Sequence, residues 1–282
     1  MTHFTKRGIL SELQRVYDPL GFLNPCLIKF KILFQELWKD KNLSWDTPIP
    51  QTFLTSWHVY HEEVQHFRFI KIPRHLKPPD STQYKLFGFC DASEFAYACV
   101  LYIASYSHDT FLNSRFLFAK ARVKPLRLFT VPRLELLSAH LLTKAIHFLL
   151  PSIPLPINTI ICFTDSQIVL SWLHRDPTDL KIFVGNRLHD IQTLTHQHNI
   201  TWSHIPGTDN PADLATRGIS IKQLLQSPWL NGPIEFMNKE METDTSFVDY
   251  SPQKENRTET LVNTLIKPLT IFKKFSSFYR LL

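Results

Sequence analysis

The chain has 282 residues, of which 44% are hydrophobic, so it can form a folded core and is not a wholly disordered chain. Its length accommodates two modest domains or one domain with extensions, and its formal net charge of +6 is compatible with an anionic partner. The sequence contains no run of about 18 apolar residues, which predicts that it has no membrane-spanning helix.

Residues 1–78 are predicted to form a small, mainly helical region. Apolar residues recur at helical spacing up to Asp18-Pro19-Leu20-Gly21, where proline and glycine should end the first helix. Two further amphipathic helices are predicted at residues 28–38 and 53–67, on either side of a proline-containing break.

Residues 79–222 show the alternation of strands and helices that is typical of an α/β domain. Apolar runs predict strands at residues 84–90, 96–106, 115–123, 159–164 and 200–205. Helical periodicity and proline positions predict helices at residues 132–150, 165–174 and 180–196, and a short last helix that starts at residue 212. This order of elements favours a mixed five-stranded sheet with flanking helices.

Residues 223–282 form a third region. Residues 238–258 are polar and predict a flexible linker, whereas residues 261–282 are basic and amphipathic. We expect this last segment to be the start of a further unit that the chain does not contain.

The chain has four cysteines, and their spacing does not suggest a metal or redox motif. They are Cys26, Cys90, Cys99 and Cys162, and no two of them form a C-x-x-C pair. Three of them lie in apolar, strand-like runs. We therefore predict buried free thiols in a reducing compartment.

Four acidic residues stand where apolar runs end or where helices begin: Asp91, Glu135, Asp165 and Asp213. An acid at the end of a buried strand is costly without a cationic partner, and four such acids brought together would repel one another. Two divalent cations would relieve this repulsion and support hydrolysis of phosphodiesters. Taken singly, each acid also fits a helix cap or a first-turn position, and Asp209 competes with Asp213.

The element order resembles the ribonuclease H fold, and seven strings resemble the pol polyprotein of Pao/BEL long-terminal-repeat retrotransposons. The strings are YDPLG at 17–21, QELW at 35–38, CDASE at 90–94, AKARV at 119–123, PRLEL at 132–136, TDSQ at 164–167 and NPADLATRG at 210–218. Together they lie within residues 5–236, which is most of the chain. The resemblance implies an α/β, ribonuclease H-like mixed five-stranded sheet with flanking helices, preceded by a small mainly helical region.

The same resemblance implies a division of the chain and an activity. Residues 1–78 would be a remnant of a reverse transcriptase thumb and connection, residues 79–222 the ribonuclease H domain, and residues 223–282 a linker before a missing integrase. The implied activity is two-metal hydrolysis of the RNA strand of RNA–DNA hybrids, with two Mg²⁺ or Mn²⁺ ions held by the four acids. The polymerase and integrase parts of the same polyprotein would be its partners, in a cytoplasmic virus-like particle or in the nucleus.

Contacts with the nucleic acid are predicted from residues near the four acids. Phosphates would be neutralised by Lys120, Arg122 and Arg133, although a solvated basic face is an alternative for each. The 2′-hydroxyls of the hybrid would be contacted by Ser93, Ser166, Gln167 and Asn186. The resemblance also allows His204 to assist product release, as a loop histidine does in some similar enzymes, but because it lies within a predicted strand we expect a structural role.

Several activities of related polyproteins are not expected. The chain lacks the Tyr-x-Asp-Asp motif of a polymerase, and neither Asp91 nor Asp165 is followed by the Thr-Gly or Ser-Gly of an aspartic peptidase. His196 and His198 have no cysteine pair to complete an integrase zinc site, so we interpret them as polar turn residues. The alternative function is a non-catalytic nucleic-acid-binding remnant of a degenerate transposon.

Overall fold

The computed structural model describes residues 4–72, 76, 78, 80–127 and 129–238. Three helices precede the sheet: α1 (Lys6–Gln14), α2 (Asn24–Lys39) and α3 (Gln51–His66). The strands are β1 (Gln83–Ala92), β2 (Ala96–Ser107), β3 (Thr110–Val123), β4 (Ile157–Thr164) and β5 (Ile200–His204). The later helices are α4 (Val131–Leu149), α5 (Gln167–Leu173), α6 (Ile182–Gln197), α7 (Ala212–Arg217), α8 (Ile221–Gln226) and α9 (Ile234–Asn238).

The five strands form one sheet in the order β3-β2-β1-β4-β5. The strands β1, β2 and β3 are antiparallel neighbours, whereas β4 runs parallel to both β1 and β5. Parallel neighbours require crossover connections. The chain crosses from β3 through the helix α4 to β4, which pairs with β1, and from β4 through α5 and α6 to β5. This arrangement confirms the predicted ribonuclease H-like mixed five-stranded sheet with flanking helices.

Helices cover both faces of the sheet. On one face, α4, α5 and α6 bury residues such as Leu142, Trp172 and Leu188 against the strands. On the other face, α1, α2, α3, α7 and α8 pack around Phe89 and Tyr102. Because both faces are covered, β2 is buried along almost its whole length, which explains its continuous apolar sequence.

A loop at residues 18–21, the 18–21 loop, attaches the first helices to the edge strand β3. The Asp18 carboxylate accepts the backbone N–H groups of Gly21, Phe22 and Leu23 at 3.0, 2.9 and 2.8 Å. The carbonyl of Leu20 then accepts the N–H of Ala119 in β3 at 2.8 Å. The division of the chain near residue 78 stays a prediction, and the two regions that it separates share one hydrophobic cluster.

Gly21 is required where this loop approaches the sheet. Its φ angle is +83°, and a Cβ atom at this position would lie 2.0 Å from the Ala119 carbonyl oxygen. Only a residue without a side chain fits both the left-handed backbone and the close approach to the strand.

The sequence predictions differ from the structure mainly at element ends. The strand β3 starts at Thr110 instead of residue 115, because His108 and Asp109 form a two-residue turn with φ angles of 46° and 66°. The helix α5 starts after Asp165, because the hydroxyl of Ser166 caps it by accepting the N–H of Val169. The predicted linker and the basic final segment lie outside the described residues, except for Asn238, which ends α9.

All four cysteines are buried and form no disulfide, as predicted. The nearest potential partners, such as Cys90 and Cys99, face each other across β1 and β2 as free thiols. Burial raises the pKa of the Cys26 thiol to about 12, so this thiol stays protonated at neutral pH. Of the helices in the described part of the chain, none is long and apolar enough to cross a bilayer.

Candidate active site

Two acidic residues lie side by side where the central strands end. Cys90 in β1 is opposite Thr164 in the parallel strand β4, so Asp91 and Asp165 occupy the next positions at the same edge of the sheet. The strand β5 continues this edge, because Thr164 is opposite His204. Asp91 is 5% exposed and Asp165 is half-buried. Two carboxylates are therefore held at one edge by the backbone of a rigid sheet.

Glu135 comes to the same edge from the helix α4. Its Oε2 atom accepts a hydrogen bond from the hydroxyl of Ser166, the capping residue that follows Asp165. Burial raises the pKa of Glu135, the Ser166 hydrogen bond opposes this rise, and the charge of Asp165 adds to it. Through its bond to Ser166, Glu135 lies beside the residue that follows Asp165, within electrostatic range of the Asp165 carboxylate.

Asp213 reaches the site because Asn210 anchors the start of α7. The buried Asn210 side chain donates to the Cys90 carbonyl at 3.0 Å and accepts the Ala212 N–H at 3.1 Å. Asp213 then lies in the first turn of α7, and its charge acts on both Asp91 and Asp165. Asp209 is exposed in the preceding turn, so the structure favours Asp213 over Asp209 as the fourth acid.

The raised pKa of Asp91 is that of a buried carboxylate with too little positive charge nearby to stabilise its ionised form. Burial raises its pKa to about 7, a Thr216 hydrogen bond opposes this rise, and the charges of Asp165 and Asp213 increase it. Burial also raises the pKa of Asp165, whose Oδ1 atom is buried without a hydrogen-bond partner. Carboxylate oxygens are the donor type that hard divalent cations such as Mg²⁺ and Mn²⁺ prefer, and positive charge would relieve the repulsion between these acids.

Three of the four acids are bonded to neighbouring side chains. Glu135 is bonded to Ser166, Asp91 accepts from the hydroxyl of the buried Thr216, and Asp213 accepts from Arg217. Among the described residues, no three His, Cys, Asp or Glu side chains lie together in an arrangement that could hold a metal ion. Asp91, Asp165 and Asp213 lie within electrostatic range of one another, as do Glu135 and Asp165, and the joint binding of two ions by the four acids stays a prediction.

Thr216 and Arg217 also contact the acids, although their place in the NPADLATRG string predicted no role for them. They follow Asp213 by three and four residues, the spacing that places side chains on one helix face. The Arg217 Nε atom lies 2.5 Å from the Asp213 Oδ1 atom, and the guanidinium charge also acts on Asp91 and Asp165. Helical spacing from Asp213 was the signal that could have identified both residues.

His204 also belongs to the surroundings of the acids. It is the last residue of β5, within the predicted strand, and its side chain is exposed, so its role stays a prediction. Burial raises the pKa of Asp165, and a charge on His204 opposes that rise, so the two side chains lie within electrostatic range. An imidazole at this position is accessible to solvent beside the acids.

The predicted phosphate contacts lie on the α4 side of the sheet. In β3, Ala119 and Ala121 face the cluster that includes α2, so Lys120 and Arg122 alternate to the opposite face. Both of these basic side chains are exposed. Arg133, in the first turn of α4, places its guanidinium 5.3 Å from the ring centroid of Phe183. The three cations and Glu135 are thus on the same side of the sheet.

The residues predicted to contact 2′-hydroxyls differ in whether their side chains are hydrogen-bonded within the protein. The Ser93 hydroxyl donates to the Thr216 carbonyl at 3.1 Å, and the Ser166 hydroxyl bonds Glu135, so both serine side chains hold parts of the site together. Gln167 is exposed at the start of α5, next to Ser166. Asn186 is exposed on α6 and, within the described residues, forms no hydrogen bond with the four acids.

Comparison with known proteins gives one family match. A family profile described as "Pao retrotransposon-like RNaseH-like domain" matches residues 5–166, which include Asp91, Glu135 and Asp165 but not Asp213. No curated protein matches the chain.

Several solved structures are also similar. The N-terminal RNase H domain of rv2228c from Mycobacterium tuberculosis is 13% identical, with 51% of this chain and 98% of that chain covered and a TM-score of 0.36. LC11-RNase H1 in complex with RNA/DNA hybrid is 12% identical, with 50% and 99% covered and a TM-score of 0.29. The foamy viral protease-reverse transcriptase in complex with RNA/DNA hybrid is 11% identical, with 68% and 28% covered and a TM-score of 0.29. The assignment of the fold depends on the strand order and the family match, not on these low TM-scores.

Proposed function

The chain belongs to the Pao retrotransposon-like RNaseH-like domain family, and from this premise we propose that it hydrolyses the RNA strand of RNA–DNA hybrids. The proposal is supported by the placement of four acidic residues. Asp91 and Asp165 lie at neighbouring strand ends, and the charge of Asp213 acts on both of them. Glu135 is bonded to Ser166, which follows Asp165. Their mutual repulsion, with a pKa of about 7 for the buried Asp91, calls for bound positive charge. The activity is that of a ribonuclease H-type endonuclease in a pol-derived chain.

The four acids are proposed to hold two Mg²⁺ or Mn²⁺ ions. When bound, these ions would neutralise the phosphate charge and activate the attacking water. Asp91 and Asp165 come from the ends of sheet strands, whereas Glu135 and Asp213 come from the N-terminal parts of the helices α4 and α7. Cleavage is expected to leave 3′-hydroxyl and 5′-phosphate ends.

The surrounding side chains position the acids and the substrate. Thr216 orients the Asp91 carboxylate by donating a hydrogen bond, and Ser166 does the same for Glu135. Arg217 places a guanidinium beside the acids, where a phosphate of the hybrid would also find a charged donor. Lys120, Arg122 and Arg133 extend the positive charge along the α4 side of the sheet, so that it follows the backbone of the substrate.

To test the proposal, the full chain is incubated with an RNA–DNA hybrid whose RNA strand is end-labelled, and cleavage of that strand is measured. We expect RNA fragments with Mg²⁺ and none with a chelator. Asp165→Asn should abolish cleavage, whereas the exposed Asp209→Asn should leave it unchanged. Duplex DNA and double-stranded RNA of the same sequence serve as substrate controls. A folded wild-type chain that produces no metal-dependent fragments would contradict the proposal.

A second candidate is a non-catalytic nucleic-acid-binding remnant. It is favoured by the internal bonds of Glu135, Asp91 and Asp213, which engage three of the four acids with neighbouring side chains. Hybrid binding by both the wild type and Asp165→Asn, without cleavage by either, would select this candidate. In either case we propose that the polymerase and integrase parts of a pol polyprotein are its partners, in a cytoplasmic virus-like particle or in the nucleus.

A further inference from the structure

Two histidines far from the acidic residues form a pair between α4 and the end of α6. The Nδ1 atom of His147 lies 2.9 Å from the Nε2 atom of His198, and the ring centroids are 5.2 Å apart. His147 is twelve residues after Glu135 on the same helix, which separates the pair from the acidic edge by about 18 Å along the helix axis. The pair is therefore a separate feature from the proposed nuclease site.

The two rings are held in place by the packing of their helices. Asp190 in α6 accepts from His140 at 3.0 Å and lies 3.6 Å from Lys144, both on the face of α4 that carries His147. Side chains of α4 and α6 thus contact each other one and two turns before the histidine pair. These contacts fix the spacing of the helices at the pair.

The backbone of each histidine is also fixed. His198 caps α6 by donating its N–H to the Leu194 carbonyl at 3.1 Å, and two residues later Ile200 begins β5 opposite Ile160. His147 follows Ile146, which is fully buried in the last turns of α4. The fold therefore brings the two backbone positions together, and the exposed His147 side chain contacts the half-buried His198 side chain there.

We propose that His147 and His198 form a binding site for a divalent first-row transition ion such as Zn²⁺ or Cu²⁺. Imidazole nitrogens bind these ions at about 2.0–2.1 Å, so two of them at a tetrahedral angle are about 3.3 Å apart. From the observed hydrogen-bonded separation of 2.9 Å, binding requires the two nitrogens to move apart by a few tenths of an ångström and the exposed His147 ring to turn, so that both lone pairs point at the ion. Neutral imidazole prefers these ions to Mg²⁺, which prefers oxygen.

Coordination at the facing nitrogens has a simple proton balance. In the metal-free pair one of the two facing nitrogens carries the shared hydrogen. Binding places the ring protons on the remote nitrogens, Nε2 of His147 and Nδ1 of His198, and a neutral pair achieves this by a change of tautomer. Two protein ligands leave the remaining positions to water, because His147 is exposed.

The test is titration of the chelator-treated full chain with Zn²⁺ by calorimetry, in a buffer with excess Mg²⁺ to occupy the acidic residues. We expect a single strongest Zn²⁺ site in the wild type. His147→Ala and His198→Ala should each weaken it by about tenfold or more, since each removes one of two ligands. His189→Ala, which removes an exposed histidine from the middle of α6, is the matched control and should bind as the wild type does.

A spectroscopic measurement identifies the ligands directly, and melting temperatures separate the loss of a ligand from a failure to fold. Electron paramagnetic resonance of bound Cu²⁺ should show two imidazole nitrogens in the wild type and at most one in either variant. Zn²⁺ should also raise the melting temperature of the wild type more than that of the variants, whose metal-free melting temperatures report whether they fold. Equal Zn²⁺ affinity in the wild type and both variants, or a Cu²⁺ signal without two imidazoles, would overturn the proposal. Neither result depends on nuclease activity.

Discussion

Ionised Asp91 destabilises the folded chain without metal, whereas the proposed chemistry requires this carboxylate to be ionised. It is nearly inaccessible to solvent at the end of β1, and burial, despite the Thr216 hydrogen bond, raises its pKa to about 7, with Asp165 and Asp213 adding to the rise. The Asp91 carboxyl group therefore stays protonated to a higher pH in the folded state than in the unfolded chain. Stability without added metal should therefore decline as the pH rises from about 4 to about 7, and it should stay low above that range.

Asp91→Asn should remove this pH-dependent loss. We expect the variant, treated with a chelator, to gain about 2 kcal/mol in the free energy of unfolding at pH 8, and to change little at pH 4. Urea denaturation at the two pH values measures the difference. Asp209→Asn, at an exposed position, is the control and should show no gain at either pH. A loss of stability at pH 8 in Asp91→Asn would contradict the electrostatic account.

Thr216 provides a second prediction at the level of single residues. Its hydroxyl favours the charged form of Asp91, so Thr216→Val should raise the pKa of Asp91 further, whereas Thr216→Ser should preserve it. The measurement is a carboxyl-carbon NMR titration of the chelator-treated protein. The nuclease activity of the valine variant should accordingly have its acidic limit at a higher pH. An unchanged pKa in Thr216→Val would show that the hydroxyl does not control this carboxylate.

The elements that carry the acids were predicted well because each acid marks a change of pattern. Asp91 and Asp165 follow apolar runs, and Pro132 identifies the first turn of the helix that carries Glu135. The exact ends of these helices and strands were harder to predict. His108 and Asp109 form a tight turn without the glycine that usually indicates one, and Ser166 instead of Asp165 caps α5. The roles of Thr216 and Arg217 became visible only when α7 was placed against β1.

The 18–21 loop provides a prediction at the level of elements. Gly21→Ala places a methyl group against the Ala119 carbonyl and forces a left-handed backbone on alanine, so it should destabilise the protein by about 3 kcal/mol. The midpoint of urea denaturation measures this change. Gly8→Ala, in α1 with its nearest neighbour at 3.6 Å, is the control and should be neutral or slightly stabilising. Equal midpoints for the two variants would show that the loop tolerates a side chain at residue 21.

At the scale of the whole molecule, the first helices and the sheet form a continuous core. Phe22 stacks on Phe116 with ring centroids 4.4 Å apart, and its carbonyl accepts from the indole N–H of Trp229 at 2.8 Å. Residues distant in sequence therefore meet on one face of the sheet. Helical periodicity predicted the apolar faces of the helices but not what covers them, because tertiary contacts leave no periodic signal.

This shared core leads to a prediction about truncation. A chain of residues 80–238 should lose stability relative to residues 4–238, because removal of the helices exposes one apolar face of the sheet. Thermal unfolding and the binding of a hydrophobic dye to the two chains measure the effect. If the shorter chain unfolds at the same temperature and binds no more dye, the helices are dispensable for the fold.

The contact between Leu20 and Ala119 has a consequence for association between molecules. The strand β3 is at the border of the sheet, where unpaired backbone groups can recruit a strand from another chain. The Leu20 carbonyl occupies the Ala119 N–H, and Gln35 of α2 donates to the Lys124 carbonyl just beyond the strand. The segment before the sheet thus protects this border against intermolecular strand addition and the aggregation that it would start.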